Sequence, residues 1–147
     1  MKVLFVCTAN TCRSPMLEYI FKAYLKMKGN SDVEVSSAGL VLSNDTLNPM
    51  CLKTLDRHGV PYFDRMAQFC TKAICSKANF VFTMTEHQAQ VLRDVYGKKK
   101  NVYCLADICN QEIFDPYGLG EDAYESVYKI FWNNVDKIYD IVCKTSV

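Results

Sequence analysis

Short, continuous apolar runs along the chain alternate with longer segments of helical periodicity. Val3 to Val6 is uninterrupted, apolar and rich in β-branched residues, which is typical of a strand buried on both faces of a parallel sheet. Similar runs predict three more strands, at Val33 to Ser37, Phe80 to Phe82 and Val102 to Leu105. The four runs therefore indicate the strands of one buried sheet.

The segments between these runs have the spacing of amphipathic helices. Ser14 and Pro15 begin a helix that Gly29 ends, and its apolar positions recur every three or four residues: Leu17, Ile20, Phe21, Tyr24 and Leu25. Further helices are predicted from Asn48-Pro49 to about His58, from about Glu86 to Tyr96, and from about Glu121 to Cys143. Strands that alternate with helices predict an α/β fold with a parallel sheet.

Length and charge narrow the class of protein. A chain of 147 residues, half of them hydrophobic, predicts a single domain over residues 1–147. The formal net charge of +1 offers no overall field for nucleic acid or an acidic membrane. The apolar run at the N-terminus, Val3 to Cys7, is too short for an export signal or a membrane span. We therefore expect a cytoplasmic protein.

The chain has eight cysteines, which could form disulfides or bind zinc. Three pairs share a C-x4-C spacing, which lies within the range of zinc ligands: Cys7 with Cys12, Cys70 with Cys75, and Cys104 with Cys109. No Cys-x-x-Cys or paired histidine accompanies them, and two of the pairs begin or end in strand-like stretches. We interpret the cysteines as reduced thiols that act mainly as small buried hydrophobes, and we expect no metal.

The segment between the first strand and the first helix contains the most distinctive chemistry. A loop that runs into a helix start directs backbone amides and the positive end of the helix dipole at one point, which suits an anion such as phosphate. At the start of this loop the Cys7 thiolate is favoured and becomes a nucleophile. Arg13 can curl over the loop and hold two phosphate oxygens, while Ser14 can cap the helix and donate to the thiolate.

The alternative is that Cys7 merely ends a core strand and Arg13 lies on the surface. The strand before the loop, the Ser-Pro pair after it and the amphipathic helix that follows all favour the phosphate site. No Gly-Lys-Ser/Thr follows the strand, which excludes a Walker-type nucleotide loop.

A phosphocysteine mechanism also requires an acid to protonate the leaving group. The best candidate is Asp115, in a loop where Pro116 fixes the backbone and Tyr117 can wall a slot beside the acid. Taken alone, Asp-Pro is an ordinary turn. Its partnership with the first loop makes Asp115 the candidate general acid.

Together, the two loops resemble the low-molecular-weight protein tyrosine phosphatase family, which has a C-x5-R-S-P loop near the N-terminus and an Asp-Pro loop about a hundred residues later. Ser37-Ala38-Gly39 and Thr83-Met84-Thr85 also look like the family pattern. The resemblance implies a single-domain four-stranded parallel sheet flanked by helices, hydrolysis without cofactor or metal, and release of inorganic phosphate from phosphorylated proteins. We expect a monomer.

The resemblance also implies roles for individual residues. Cys7 is the nucleophile, Arg13 the phosphate clamp, and Asp115 the acid and then the base. Asn10 corresponds to a position that holds the loop's shape, and Cys12 to a cysteine that can form a reversible disulfide with the nucleophile. The other expected phosphate- or substrate-binding residues are Thr8, Ala9, Thr11, Ser14 and Tyr117, with Ala9 replacing a glycine common in the family.

Thr11 bears on the choice of substrate because its loop position faces the leaving group. A threonine here resembles the bacterial protein-arginine phosphatase branch, and its hydroxyl can accept from a guanidinium N–H. Gly118 after Tyr117 agrees, because many tyrosine-directed members have a second aromatic there. Phosphoarginine is the favoured substrate and phosphotyrosine the alternative. Arsenate reduction is a distant third, because no cysteine lies between Met84 and Tyr96, and a non-catalytic phosphopeptide-binding module would not need both nucleophile and acid.

Overall fold

The computed structural model describes residues 1–145 and contains a four-stranded, fully parallel sheet. Its strands are β1 (Lys2–Cys7), β2 (Glu34–Gly39), β3 (Phe80–Thr83) and β4 (Val102–Cys104), arranged in the order β2-β1-β3-β4. Helices cover the sheet, which confirms the predicted fold. The helices are α1 (Arg13–Met27), α2 (Pro49–Arg57), α3 (Lys72–Lys77), α4 (Glu86–Asp94), α5 (Leu105–Cys109) and α6 (Glu121–Thr145).

The central strand β1 explains why its sequence is continuously apolar. Alternate side chains point to opposite faces of a strand. Val3 and Phe5 belong to the larger core cluster, with residues of α1, α2 and α6, whereas Leu4 and Val6 join the smaller cluster with residues of β3 and α4. All four side chains are buried. A polar residue on either face of β1 would therefore disrupt a core.

The strand order opens a crevice at the carboxyl end of β1. The chain leaves β1 to form β2 on one side and returns to form β3 on the other, which makes this end a topological switch point. Cys7 pairs in register with Gly39, and Val6 with Thr83, so the loops after three strands meet at this edge of the sheet. Ligands of open parallel sheets bind at such an edge.

Several predicted boundaries are wrong in detail. β2 continues through Ala38-Gly39, because these residues pair with Val6 and Cys7. Leu105 is the first residue of α5 instead of the end of β4, and α4 stops at Asp94 instead of Tyr96. The helices α3 and α5 were not predicted, because at six and five residues they are too short to show a helical period.

None of the eight cysteines, all of which lie within residues 1–145, forms a disulfide, and seven of them are buried. Cys7, Cys12 and Cys51 pack in the larger core cluster, while Cys70 and Cys75 pack in the smaller one. Within the described residues, no helix has the length and apolar character that a membrane span requires.

Gly39 allows β2 to approach the loop after β1. A Cβ atom at this position would lie 2.7 Å from the Ala9 carbonyl carbon and 2.9 Å from the Asn10 nitrogen. Backbone atoms cannot move aside as a flexible side chain can, so we expect Gly39→Ala to lower the free energy of unfolding by about 3 kcal/mol in urea denaturation.

The matched control is Gly29→Ala, because a Cβ at Gly29 meets open space and costs only its left-handed backbone strain, about 1 kcal/mol. A Gly39→Ala chain no less stable than the Gly29→Ala chain would contradict the close approach.

Candidate active site

Residues 8–12 form the loop that joins β1 to α1, with Cys7 at its base. Asn10 takes a left-handed backbone conformation, φ 58°, which turns the chain back toward the sulfur. Its amide donates to Cys7 Sγ at 3.2 Å. Within residues 1–145, six other amides of the loop and helix start donate to no protein acceptor, and they belong to Thr8, Ala9, Thr11, Cys12, Arg13 and Ser14. Free amides clustered around a thiol and a helix start can hold an anion.

The Ser14 hydroxyl contacts the Cys7 sulfur and does not cap the helix. Its Oγ lies 2.9 Å from Cys7 Sγ. The residue that caps α1 is Cys12, whose side chain makes no capping hydrogen bond, so the predicted capping role of Ser14 is wrong. Ser14 lies inside α1, where its buried hydroxyl faces the end of β1 instead of the first free amides of the helix.

Asn10 fixes the direction of the hydrogen bonds that reach the sulfur. Its amide nitrogen donates to Ser14 Oγ and to Ser37 Oγ, each at 2.8 Å. Because Ser14 Oγ accepts from Asn10, the Ser14 proton is free to donate to Cys7 Sγ. Two donors, the Ser14 hydroxyl and the Asn10 backbone amide, are therefore directed at the Cys7 sulfur.

Arg65 anchors this network from the segment between α2 and α3. Its guanidinium has five N–H donors, and all five are used. Nη1 donates to Asn10 Oδ1 at 3.1 Å and to a backbone carbonyl, Nη2 to Glu18 at 2.8 Å and to Ser37 at 2.9 Å, and Nε to Tyr19 at 3.3 Å. Arg65 was not predicted from the sequence, because it lies in an irregular segment far from the loop along the chain.

The ion pair between Arg65 and Glu18 places a charged guanidinium beside the loop. Burial by itself lowers the pKa of the Arg65 guanidinium, but the Glu18 charge and the hydrogen bonds of Tyr19 and Glu18 outweigh burial and raise this pKa above its ordinary value. The Glu18 side chain is buried and also accepts from the Ser37 hydroxyl. The Asn10 side-chain oxygen therefore accepts a hydrogen bond from a charged guanidinium whose position is fixed.

Arg13 and Asp115 come from opposite ends of the chain and meet above Cys7. Arg13 is buried, its Nη1 donates to the Ile113 carbonyl at 3.0 Å, and its Nη2 lies 4.0 Å from Asp115 Oδ2. Asp115 Oδ1 accepts from the Tyr117 amide at 3.1 Å, and the side chain is 57% exposed. Asp115 Oδ2 accepts no hydrogen bond within residues 1–145.

A shallow depression of about 70 Å³ collects most of the predicted site. Its lining residues are Cys7, Thr8, Ala9, Thr11, Cys12, Arg13 and Asp115. Tyr117 does not line this depression, and its side chain is 70% exposed. Asp115 accepts the Tyr117 backbone amide while the ring is exposed, so the role of Tyr117 as a wall beside the acid stays a prediction.

Comparison with known proteins identifies the family. A sequence model of the low molecular weight phosphotyrosine protein phosphatases matches residues 2–145. The chain belongs to this family. A curated relative, the low molecular weight protein-tyrosine-phosphatase PtpB of Staphylococcus epidermidis, is 32% identical over 141 residues, which cover 94% of this chain and 96% of PtpB.

Solved structures of the family share the fold over nearly the whole chain. A low molecular weight protein tyrosine phosphatase from T. tengcongensis has a TM-score of 0.88 at 28% identity and covers 95% of this chain and 98% of its own. The YwlE arginine phosphatase, solved as a C7S mutant with a phosphorylated active site serine, has a TM-score of 0.88 at 26% identity and covers 97% of both chains. This phosphatase is thus similar to members named for two different substrates.

The Cys12 thiol, in the loop of residues 8–12, contacts two hydroxyl groups. Its Sγ lies 3.3 Å from the hydroxyl of the buried Tyr124 and 3.7 Å from the Thr11 hydroxyl. Burial raises the pKa of the Cys12 thiol above its ordinary value, and the hydrogen bonds of Tyr124 and Thr11 oppose that rise. Cys7 and Cys12 are both free thiols here, and the disulfide between them stays a prediction.

One cluster outside the phosphatase loop contains potential metal ligands. Donor atoms of Glu86, Cys104 and Asp107 lie within 4.8 Å of one another. The carboxylates are exposed, and Arg93 already pairs with Glu86 at 3.0 Å. A guanidinium at this position repels a cation, so we assign the cluster no metal.

The Arg65 network gives a test of how the phosphatase loop is held. Arg65→Met leaves the buried Glu18 carboxylate without its cation, so we expect the free energy of unfolding to fall by about 3 kcal/mol. The phosphatase kcat/KM should fall by at least about tenfold, because Asn10 loses one of its donors. Urea denaturation and steady-state kinetics measure the two effects.

The control is Arg93→Met, which removes a pair with the exposed Glu86 and a hydrogen bond to the Val102 carbonyl and should cost about 1 kcal/mol. Adding Glu18→Gln to Arg65→Met should recover part of the lost stability. Equal costs for Arg65→Met and Arg93→Met would contradict the anchoring role.

Proposed function

We propose that the protein hydrolyses phosphorylated protein side chains through a phosphocysteine on Cys7, with phosphoarginine as the preferred substrate. One observation carries the proposal: Cys7 Sγ accepts from Asn10 in its loop and from Ser14 in α1, and it lines the same depression as Arg13 and Asp115. A nucleophile, an anion clamp and a proton donor are the three groups that a two-step phosphoryl transfer to water requires.

In the first step, the Cys7 thiolate attacks phosphorus, and the bond from phosphorus to the leaving atom breaks. The proton of the Asp115 carboxyl goes to the leaving atom, so that an oxygen departs as a neutral hydroxyl and a nitrogen departs as part of a guanidinium. Arg13 keeps the N–H groups that the Ile113 carbonyl does not use, and these hold the phosphoryl oxygens as charge redistributes. The product is a phosphocysteine.

In the second step, water attacks the phosphocysteine. The Asp115 carboxylate, now deprotonated, takes a proton from that water, and the Cys7 thiolate leaves with the electrons of the S–P bond. The Ser14 hydroxyl stabilises the departing thiolate, because its proton is already directed at the sulfur. Inorganic phosphate is released, and both groups return to their starting states.

The preference for phosphoarginine is supported by the acceptors around the depression. A phosphorylated guanidinium keeps N–H donors that need oxygen partners, and Thr11 and Asp115 supply a hydroxyl and a carboxylate there. The YwlE neighbour, named as an arginine phosphatase, carries its phosphoryl group on a serine that replaces a cysteine in its active site. This likeness also supports transfer to the cysteine of the loop.

Phosphotyrosine is the second candidate substrate. The curated relative at 32% identity is named a protein-tyrosine-phosphatase. A phenyl ring needs apolar walls instead of acceptors. Phe114, Tyr117 and Leu119 are exposed side chains close to Asp115 in sequence that could provide such walls.

Turnover of matched phosphoarginine and phosphotyrosine peptides by the reduced protein tests the proposal. We expect higher kcat/KM on phosphoarginine. Thr11→Val, which removes only the hydroxyl, should lower that value by about fivefold to tenfold, the effect of one hydrogen bond, and leave phosphotyrosine turnover nearly unchanged. Thr11→Ile should move the preference further toward phosphotyrosine.

The blank is Cys7→Ala instead of Cys7→Ser, because a serine at the corresponding site of a neighbour accepts phosphate. Thr46→Val, a solvent-exposed threonine outside the depression, controls for loss of a hydroxyl elsewhere. Turnover that survives Cys7→Ala would overturn the mechanism. Equal or better phosphotyrosine turnover, unmoved by Thr11→Ile, would overturn the phosphoarginine preference and leave the mechanism intact.

A further inference from the structure

Gln88 connects the helix after β3 to the loop that holds Cys7. It is the third residue of α4 and only 3% exposed. Its Oε1 accepts from the backbone amides of Met84 at 2.9 Å and Thr85 at 3.1 Å. Its Nε2 donates to Thr8 Oγ1 at 3.1 Å, across 80 residues of sequence.

The helix cap uses only half of the Gln88 side chain. Thr85 and Gln88 form a capping box, in which the third helical residue has to supply one acceptor, and glutamate serves as well as glutamine. The amide nitrogen, which a glutamate lacks, makes the bond to Thr8. A glutamine at position 88 therefore gives the loop a hydrogen-bond donor that the capping box alone does not require.

The direction of the Gln88 bond determines what the Thr8 hydroxyl can do. An amide NH2 group only donates, so Thr8 Oγ1 is the acceptor and its proton is free for another group. Among residues 1–145, no protein atom accepts that proton. Thr8 lines the depression with Cys7 and Arg13, and its backbone carbonyl is fixed by the Val41 amide at 2.9 Å.

We propose that the Thr8 hydroxyl is a phosphate-binding donor and that Gln88 is the positioning residue that orients it. The inference rests on the proposed function, since it concerns the anion held beside Cys7. A hydroxyl that accepts one hydrogen bond becomes a stronger donor of its own proton, and a phosphate oxygen strengthens the bond further because it is charged. The site thus adds a side-chain donor to the backbone amides of the loop.

Binding of inorganic phosphate tests this pair independently of the preferred substrate. We would measure the inhibition constant of phosphate against p-nitrophenyl phosphate turnover, and the dissociation constant by calorimetry in the Cys7→Ala chain. Thr8→Val should weaken phosphate binding by about tenfold, and Thr8→Ser, which keeps the hydroxyl, should stay within about twofold of wild type.

Gln88→Glu is the decisive substitution, because it preserves the acceptor of the capping box and removes the donor to Thr8. The new carboxylate attracts the Thr8 proton away from phosphate, so affinity should fall by at least about tenfold while the thermal unfolding midpoint changes little. In the Thr8→Val chain the same substitution should have only about a twofold effect.

The matched control is His87→Glu, which places a negative charge on the neighbouring, exposed residue of the same helical turn and should change phosphate affinity by less than about twofold. A wild-type affinity in Thr8→Val, or a Gln88→Glu effect of equal size with and without Thr8, would overturn the inference. A wild-type chain that neither binds phosphate nor turns over p-nitrophenyl phosphate would overturn the proposed function itself.

Discussion

The buried side chain of Asn10 is the constraint on which the rest of the site depends. Its oxygen accepts from Arg65 and from the Gln68 amide, and its nitrogen donates to Ser14 and Ser37. Every hydrogen-bonding position of this amide is used, so its orientation is fixed. That orientation sets the Ser14 proton toward Cys7 and holds the left-handed turn that brings the loop amides around the sulfur.

The sheet supplies the frame for this network. The order β2-β1-β3-β4 leaves the carboxyl end of β1 open between loops that approach from both sides. On one side, Gly39 of β2 lies against Ala9 and Asn10 without a Cβ to separate them. On the other side, Gln88 of α4 reaches Thr8. The loop is therefore held at its centre and at both flanks before any ligand binds, which is the preorganisation that electrostatic catalysis requires.

Local patterns in the sequence predict the parts of the molecule that local physics determines. The apolar run of β1, the Ser-Pro helix start and the spacing of Cys7 and Arg13 are sufficient to place the loop, and the Asp-Pro turn places Asp115. Arg65 and Gln88 could not be predicted in this way, because each reaches the loop through a side-chain contact across 55 or 80 residues and no local pattern marks it. The exposure of Tyr117 was missed for a related reason: which way a turn side chain points depends on the tertiary environment.

Direct detection of a phosphoryl group on Cys7 tests the account most sharply. Asp115→Asn should let the intermediate accumulate with p-nitrophenyl phosphate, because nitrophenolate leaves without a proton whereas water attack still needs the base. After a denaturing quench, mass spectrometry should find the phosphoryl group on Cys7, and none in a chain that also carries Cys7→Ala. A phosphoryl group on another residue, or turnover that persists without Cys7, would contradict the account.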